Sequence, residues 1–276
     1  MEQMREQPYE QTVGFAIMAT FINYFIARRL ISILVFSNVN FANYAQRQVA
    51  DGITRGLVGI LSIIMLGKII QSNGFKFAFT ARGFKKGMVA HIPMLLCIIS
   101  LPFIMLSIPE ARLSVSNALP SLVPRAIFDV GNSVWEEVLW RGVLMTGVLI
   151  GWSDAWDESD TVRKRVKFML ICSLAFGLIH YSGGGWIHVA FASLLGTIFS
   201  AAYIYSRNLL SCTVVHFAVN YITQFVFHMF VYDMEPLMVF IQRFFIVNIV
   251  LGVVVVIPFT IYITIKAEPF CIEERK

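Results

Sequence analysis

The stretch Trp135-Glu136-Glu137-Val138-Leu139-Trp140-Arg141 sets two carboxylates and a guanidinium inside an otherwise apolar run from about Leu122 to Ile150. An ionisable side chain at membrane depth costs on the order of 2.5–3.5 kcal/mol on insertion scales, so such a group marks a functional site by default. The fold depends on whether the surrounding runs span a bilayer. The function depends on which other polar side chains can meet these carboxylates.

Of the 276 residues, 57% are hydrophobic and only 14% charged, and the mean hydropathy is +0.71. Soluble domains carry roughly 25% charged residues. An all-α, polytopic membrane protein is therefore expected. No stretch between the apolar runs is long enough to bury a core of its own, so residues 1–276 read as a single integral membrane domain. The net charge of +5 calls for no nucleic acid, because membrane proteins concentrate Lys and Arg in their loops. Cys97, Cys172 and Cys212 lie in apolar runs and read as small hydrophobes.

A spanning helix needs about 20 apolar residues. About eight spans are expected on that criterion: Val13–Phe36, Gly52–Ile70, Met88–Ile108, Leu122–Ile150, Val166–Tyr181, Trp186–Tyr205, Leu209–Val231 and Phe240–Ile265. Pro93 and Pro102 predict kinks in the third. Arg28-Arg29 interrupts the first, and a span stopping there would be only about 22 Å long at 1.5 Å per residue, short for a bilayer. Gln71–Gly87 interleaves Phe75, Phe77, Phe79 and Phe84 with Lys76, Arg82, Lys85 and Lys86, which suits an interfacial segment on an anionic leaflet or an ordinary basic loop. Gly151–Lys167 reads as a solvated loop, and Gly183-Gly184-Gly185 as a flexible turn.

Counting Lys and Arg, the even connections hold ten (Lys68, Lys76, Arg82, Lys85, Lys86, Arg163, Lys164, Arg165, Lys167, Arg207) and the odd connections five (Arg47, Arg55, Arg112, Arg125, Arg243). The positive-inside rule then puts the even loops and both termini in the cytoplasm.

On one helix Glu137 and Arg141 stand at i, i+4 on a common face, with Glu136 turned about 100° away. Arg141 is expected to hold and neutralise Glu137 while Glu136 points elsewhere. A carboxylate in a low-dielectric cavity suits general-base work. The same trio would serve equally as an architectural ion-pair cluster. Phe176-Gly177-Leu178-Ile179-His180 and His216-Phe217-Ala218-Val219-Asn220 add polar groups to two further spans, and His216 and Asn220 again stand at i, i+4. A water-filled active-site cavity between helices 4, 5 and 7 accounts for all of these together.

Glu-Glu-x-x-x-Arg at Glu136–Arg141, Phe-x-x-x-His at Phe176–His180 and His-x-x-x-Asn at His216–Asn220 resemble, in order and separation, the motifs of the CAAX-processing and bacteriocin-processing (CPBP, or Abi) intramembrane proteases. The resemblance covers residues 120–232. It implies peptide-bond hydrolysis in the membrane, with Glu136 and His180 activating water and Glu136 as general base. It further implies that His216 and Asn220 polarise the scissile carbonyl and stabilise the oxyanion, while Glu137 and Arg141 orient and balance Glu136.

That family has been described both as glutamate-dependent and as metal-dependent. With no His-Glu-x-x-His in the chain, no cofactor is favoured. A divalent metal such as zinc would draw on Glu136, His180 and His216, with His188 a spare ligand or a helix-packing residue. His91 and His228 lie near span ends, where interfacial exposure would explain them. Trp135 and Trp140 either line a substrate groove or pack. The expected partners are membrane lipid and a peptide or lipidated-protein substrate. The rival readings are a bacteriocin-immunity or binding protein without proteolysis, and a transporter with a proton relay. Against the transporter stands the lack of inverted repeats with broken helices.

Overall fold

A computed structural model describes residues 9–36, 41, 43–73, 81, 83–108, 113–153, 161–230 and 234–267. All regular structure among them is helical, apart from one isolated bridge between Leu113 and Phe230. Tyr9–Phe21 runs through a wide π-helical turn, Ile22–Ala27, into Arg28–Phe36, and together these form α1. The helix does not stop at Arg28-Arg29, and Val13–Leu34 is long and apolar enough to span. α2 is Tyr44–Asn73. α3 is bent: Phe84–Ala90 and Ile92–Leu106 meet at 47°. The break falls at Ile92–Met94, beside Pro93, whereas Pro102 is absorbed inside the helix.

α4 joins Leu122–Glu137, a π-helical stretch Val138–Met145 and Thr146–Ser153. α5 is Thr161–Leu178, α6 Gly185–Ser206 and α7 Leu209–Met229. α8 joins Met234–Leu251, Gly252–Val256 and Ile257–Lys266.

Five described helices are long and apolar enough to cross a membrane, or six with the bent α3. Eight spans are expected from the sequence. α4 and α5 fall short of the same measure because charge interrupts them. α4 carries Arg125, Asp129, Glu136, Glu137 and Arg141, and α5 opens with Arg163, Lys164, Arg165 and Lys167. Those four bases belong to the first turns of α5 rather than to a loop. Residues 154–160, and 74–80 with 82 from the Phe/Lys-rich segment, lie outside the described residues.

The backbone of α4 is seated on α2 by small residues. A Cβ on Gly52 would stand 2.7 Å from Phe128 Cα, and one on Gly59 3.3 Å from Trp135 Cα. One on Gly131 would overlap the Gly52 carbonyl, and Gly142 faces Leu66. These contacts advance together along both chains, so α2 and α4 run parallel. In lipid, where tails are as apolar as Leu, such close backbone approach is what holds helices together. The narrow face expected on α6 does the same against α5: a Cβ on Gly196 would lie 3.2 Å from both Ser173 Cα and Phe176 Cδ1.

Contacts between helix ends fix the topology. Gly83 abuts the Ser206 carbonyl, and Arg165 Nη1 donates to Ala267 O at 2.8 Å, at one end of the bundle. At the other, Ser114 N donates to Met229 O at 2.8 Å and Arg243 Nη1 to Ser107 Oγ at 2.7 Å. α1 turns Phe15, Ile17, Met18, Phe21 and Phe25 outward, the face a lipid-immersed helix presents.

Gly131→Ala drives a methyl into the Gly52 carbonyl and is expected to destabilise by about 1–3 kcal/mol. Gly67→Ala, with nothing within 4 Å of the added carbon, is expected to be neutral or to stabilise by up to about 1 kcal/mol. Thermal unfolding of the detergent-solubilised protein, followed by tryptophan fluorescence, reads both.

Candidate active site

Glu136 and Glu137 end the first regular part of α4, and the wide turn begins at the next residue. Such turns occur often at functional sites because they displace a helix's faces from their ordinary register. Here Thr146 Oγ1 donates to the Arg141 carbonyl five residues back, at 3.1 Å. The expected i, i+4 pair forms: Arg141 Nη1 meets Glu137 Oε1 at 3.1 Å, with both side chains buried. The second arm of the guanidinium, Nη2, donates to Gly196 O on α6 at 3.3 Å. Its flat faces lie against Phe176 of α5, 4.6 Å from the ring centre, and Phe199 of α6, at 5.3 Å. Aromatic faces and a carbonyl thus accompany the buried charge.

His216 of α7 enters between the two carboxylates. Its Nδ1 lies 2.7 Å from Glu137 Oε1, and its Nε2 3.7 Å from Glu136 Oε2. An ionised carboxylate only accepts hydrogen bonds, so Nδ1 carries the proton that bonds Glu137 and Nε2 is presented to Glu136. Glu137 therefore positions His216 as well as pairing with Arg141. Glu136 does not point away from the cluster; it faces the opposite edge of the same imidazole. The ring stacks on Phe199 at 5.0 Å between centroids. Glu136 Oε2, Glu137 Oε2 and Trp140 Nε1 are buried without a hydrogen-bond partner among the described residues. Unpaired polar atoms are costly in a buried setting and call for an explanation.

His180 and Asn220 stand further out. His180 is half-buried at the end of α5, with Nδ1 2.7 Å from the Phe176 carbonyl. Its ring lies 4.6 Å from that of Phe176 and 5.5 Å from that of His188. Its link to the cluster runs through Phe176, which lies under Arg141 and edge-on to Trp140 at 5.8 Å. Asn220, one turn beyond His216, lines a cavity of about 440 Å³ with His188, Thr223, Gln224, Gln242 and a wall of phenylalanines. Among the described residues no three His, Cys, Asp or Glu side chains converge where they could hold a metal ion. The set Glu136, His180 and His216 does not fit one as placed.

Other expectations divide. His91 is not interfacial: it is 2% exposed at the bend of α3, with Nδ1 2.7 Å from Gly87 O and its ring 5.3 Å from Phe199. His228, half-buried, bonds Gln224 O at 2.7 Å. Trp135 and Trp140 pack rather than line a groove. Trp135 donates to Asn23 Oδ1 at 2.9 Å and stacks on Tyr24 at 5.3 Å. Cys97, Cys172 and Cys212 are free thiols in the core. Sequence reasoning overlooked Asn23, Tyr24 and Phe199. Only Asn23 gave a signal, as a lone amide in an apolar run.

Residues 117–222 match the family described as type II CAAX prenyl endopeptidase Rce1-like. This segment is similar to that family. The match encloses all six motif residues, from Glu136 to Asn220, and bears out the resemblance read from the sequence. It supports a membrane protease, in keeping with the apolar helices of an integral membrane protein. No curated protein and no solved structure matches the chain.

Removing the guanidinium leaves Glu137 and His216 buried without their cation. Arg141→Gln is expected to destabilise by about 3–5 kcal/mol, the cost of breaking a buried pair. Arg141→Lys, which keeps the charge but not the second arm to Gly196, is expected to fall between that variant and the parent. Thermal unfolding of both variants beside the parent tests the ordering.

Proposed function

We propose that the protein is an eight-span intramembrane endopeptidase that hydrolyses a peptide bond in a membrane-proximal peptide or lipidated protein tail, using water activated by Glu136. The observation that carries this reading is the buried, unpartnered Glu136 Oε2 beside a carboxylate-anchored histidine, inside the segment that matches a CAAX endopeptidase family. The two spans beyond the six that qualify on apolarity are α4 and α5, whose charged residues face protein rather than lipid at Glu136, Glu137, Arg141 and Arg165. Both termini lie in the cytoplasm on this reading, by the excess of Lys and Arg in the even loops.

Glu136 Oε2 takes a proton from water as the oxygen adds to the scissile carbonyl, and the amide nitrogen receives that proton as the C–N bond breaks. His180, with Nδ1 occupied by the Phe176 carbonyl, offers Nε2 to assist the water. Asn220 supplies an amide N–H to the developing oxyanion, where fixed donors contribute most. His216 shares that task and exchanges a proton with Glu136 across their 3.7 Å separation. Glu137 and Arg141 hold His216 in register. The cavity beside Asn220, walled by Phe191, Phe227, Phe244 and Phe245, suits an apolar or lipidated stretch of substrate. No step draws on a metal.

Glu136→Gln is nearly isosteric and is expected to lower cleavage of a fluorogenic CAAX-type or leader-type peptide by at least about 10²-fold, with the melting temperature unchanged. A Glu136→Gln protein that still cleaves at the parental rate removes Glu136 as the base. Dialysis against EDTA is expected to leave the rate unaltered. Loss restored by added zinc would transfer the activation of water to a metal.

A further inference from the structure

Away from the acidic cluster, a second polar concavity opens where the C-terminal half of α1 meets the first turns of α2. It encloses about 860 Å³, and its lining includes Arg28, Ser32, Asn43, Tyr44, Arg47 and Asp51. The one carboxylate among these is already committed: Asp51 Oδ2 accepts from Arg55 Nε at 3.3 Å and Nη2 at 3.2 Å. Arg55 is further tied to Asn132 and to the face of Phe128, 4.6 Å from the ring centre.

Arg28 and Arg47 form no ion pair among the described residues. Arg28 is braced by its neighbours, lying 5.8 Å from the centre of the Tyr24 ring and 4.9 Å from that of Trp135. Arg47 is exposed at the mouth. Asn43 Oδ1 accepts from Gln46 N at 3.0 Å, which leaves its amide N–H groups for a ligand. The pocket therefore offers two guanidinium forks, an amide and hydroxyl groups around one neutralised acid. That is a receptor for a tetrahedral oxyanion, since the planar fork donates two parallel hydrogen bonds to phosphate.

We propose that this pocket binds the phosphate group of an anionic phospholipid. A lipid and a free phosphate share the recognised group. The lipid is the source argued here because Leu30, Ile33 and Leu34, 50–69% exposed on the same stretch of α1, give its acyl chains an apolar surface beside the arginines. The site is separate from Glu136 and His216 and does not depend on the proteolytic reading.

The test uses the full chain in zwitterionic detergent, titrated with phosphatidylglycerol, phosphatidylcholine or inorganic phosphate. Thermal unfolding and native mass spectrometry are the readouts. Phosphatidylglycerol is expected to bind saturably and raise the melting temperature, with phosphatidylcholine weaker. Arg47→Gln is expected to weaken phosphatidylglycerol about fivefold, the effect of roughly one basic residue at an anionic surface, and Arg47→Lys to recover most of that loss. Arg28→Gln combined with Arg47→Gln should abolish binding, and the exposed Arg47 variants carry the test if the double variant does not fold. Inorganic phosphate that gives the same shift and competes with the lipid supports the phosphate site and assigns it to the free anion. Equal binding of the two lipids, or phosphatidylglycerol binding untouched by Arg47→Gln, overturns the proposal.

Discussion

Two carboxylates, an arginine and a histidine cannot stand apart in a low-dielectric interior, and their mutual satisfaction organises the centre of this bundle. Breaking a buried ion pair by removing one partner leaves an uncompensated charge, so Glu137, Arg141 and His216 behave as one unit. Arg141 reaches Gly196 on α6 and lies between aromatic rings from α5 and α6. His216 arrives from α7. Four helices are thus tied to one polar knot. The cluster is structural and chemical at once: the contacts that neutralise Glu137 also fix the imidazole edge that Glu136 faces.

The wide turn of α4 and the glycines of α2 and α6 make this knot sterically feasible. Gly131 against Gly52, and Gly196 against Ser173, let backbones approach until small contacts accumulate. The guanidinium can then reach a backbone carbonyl on the neighbouring helix. On the far side of α4, Asn23, Tyr24 and Trp135 form a second set of contacts, and Arg28 lies over the Trp135 ring beside the α1–α2 pocket.

Much of the helical order was legible in advance. Apolar runs of spanning length have few alternatives in lipid, since every backbone group must be satisfied within its own segment. The Glu137–Arg141 pair follows from i, i+4 spacing alone. The three motifs marked the residues of the acidic cluster and of the cavity beside Asn220, and the Rce1-like match falls on the same segment. Less legible were the ends and the breaks. The helix carries on through Arg28-Arg29 because Arg28 finds Tyr24 and Trp135 to lie against, and His91 is buried because α3 bends where Pro93 interrupts it.

What the sequence by itself determined is the class of the protein, the order of its helices and which side chains share a helix face, because these depend on hydropathy and on a period fixed by backbone geometry. What only the tertiary structure decided is which face meets which. Periodicity says that His216 and Asn220 point the same way, but only packing puts His216 between two adjacent carboxylates on another helix. Likewise only packing puts Phe176, rather than His180, under Arg141, and makes α2 and α4 parallel neighbours. Those outcomes depend on the shapes of glycine-lined grooves and on one wide helical turn, and on contacts such as that of Glu137 with His216, 79 positions apart in the chain.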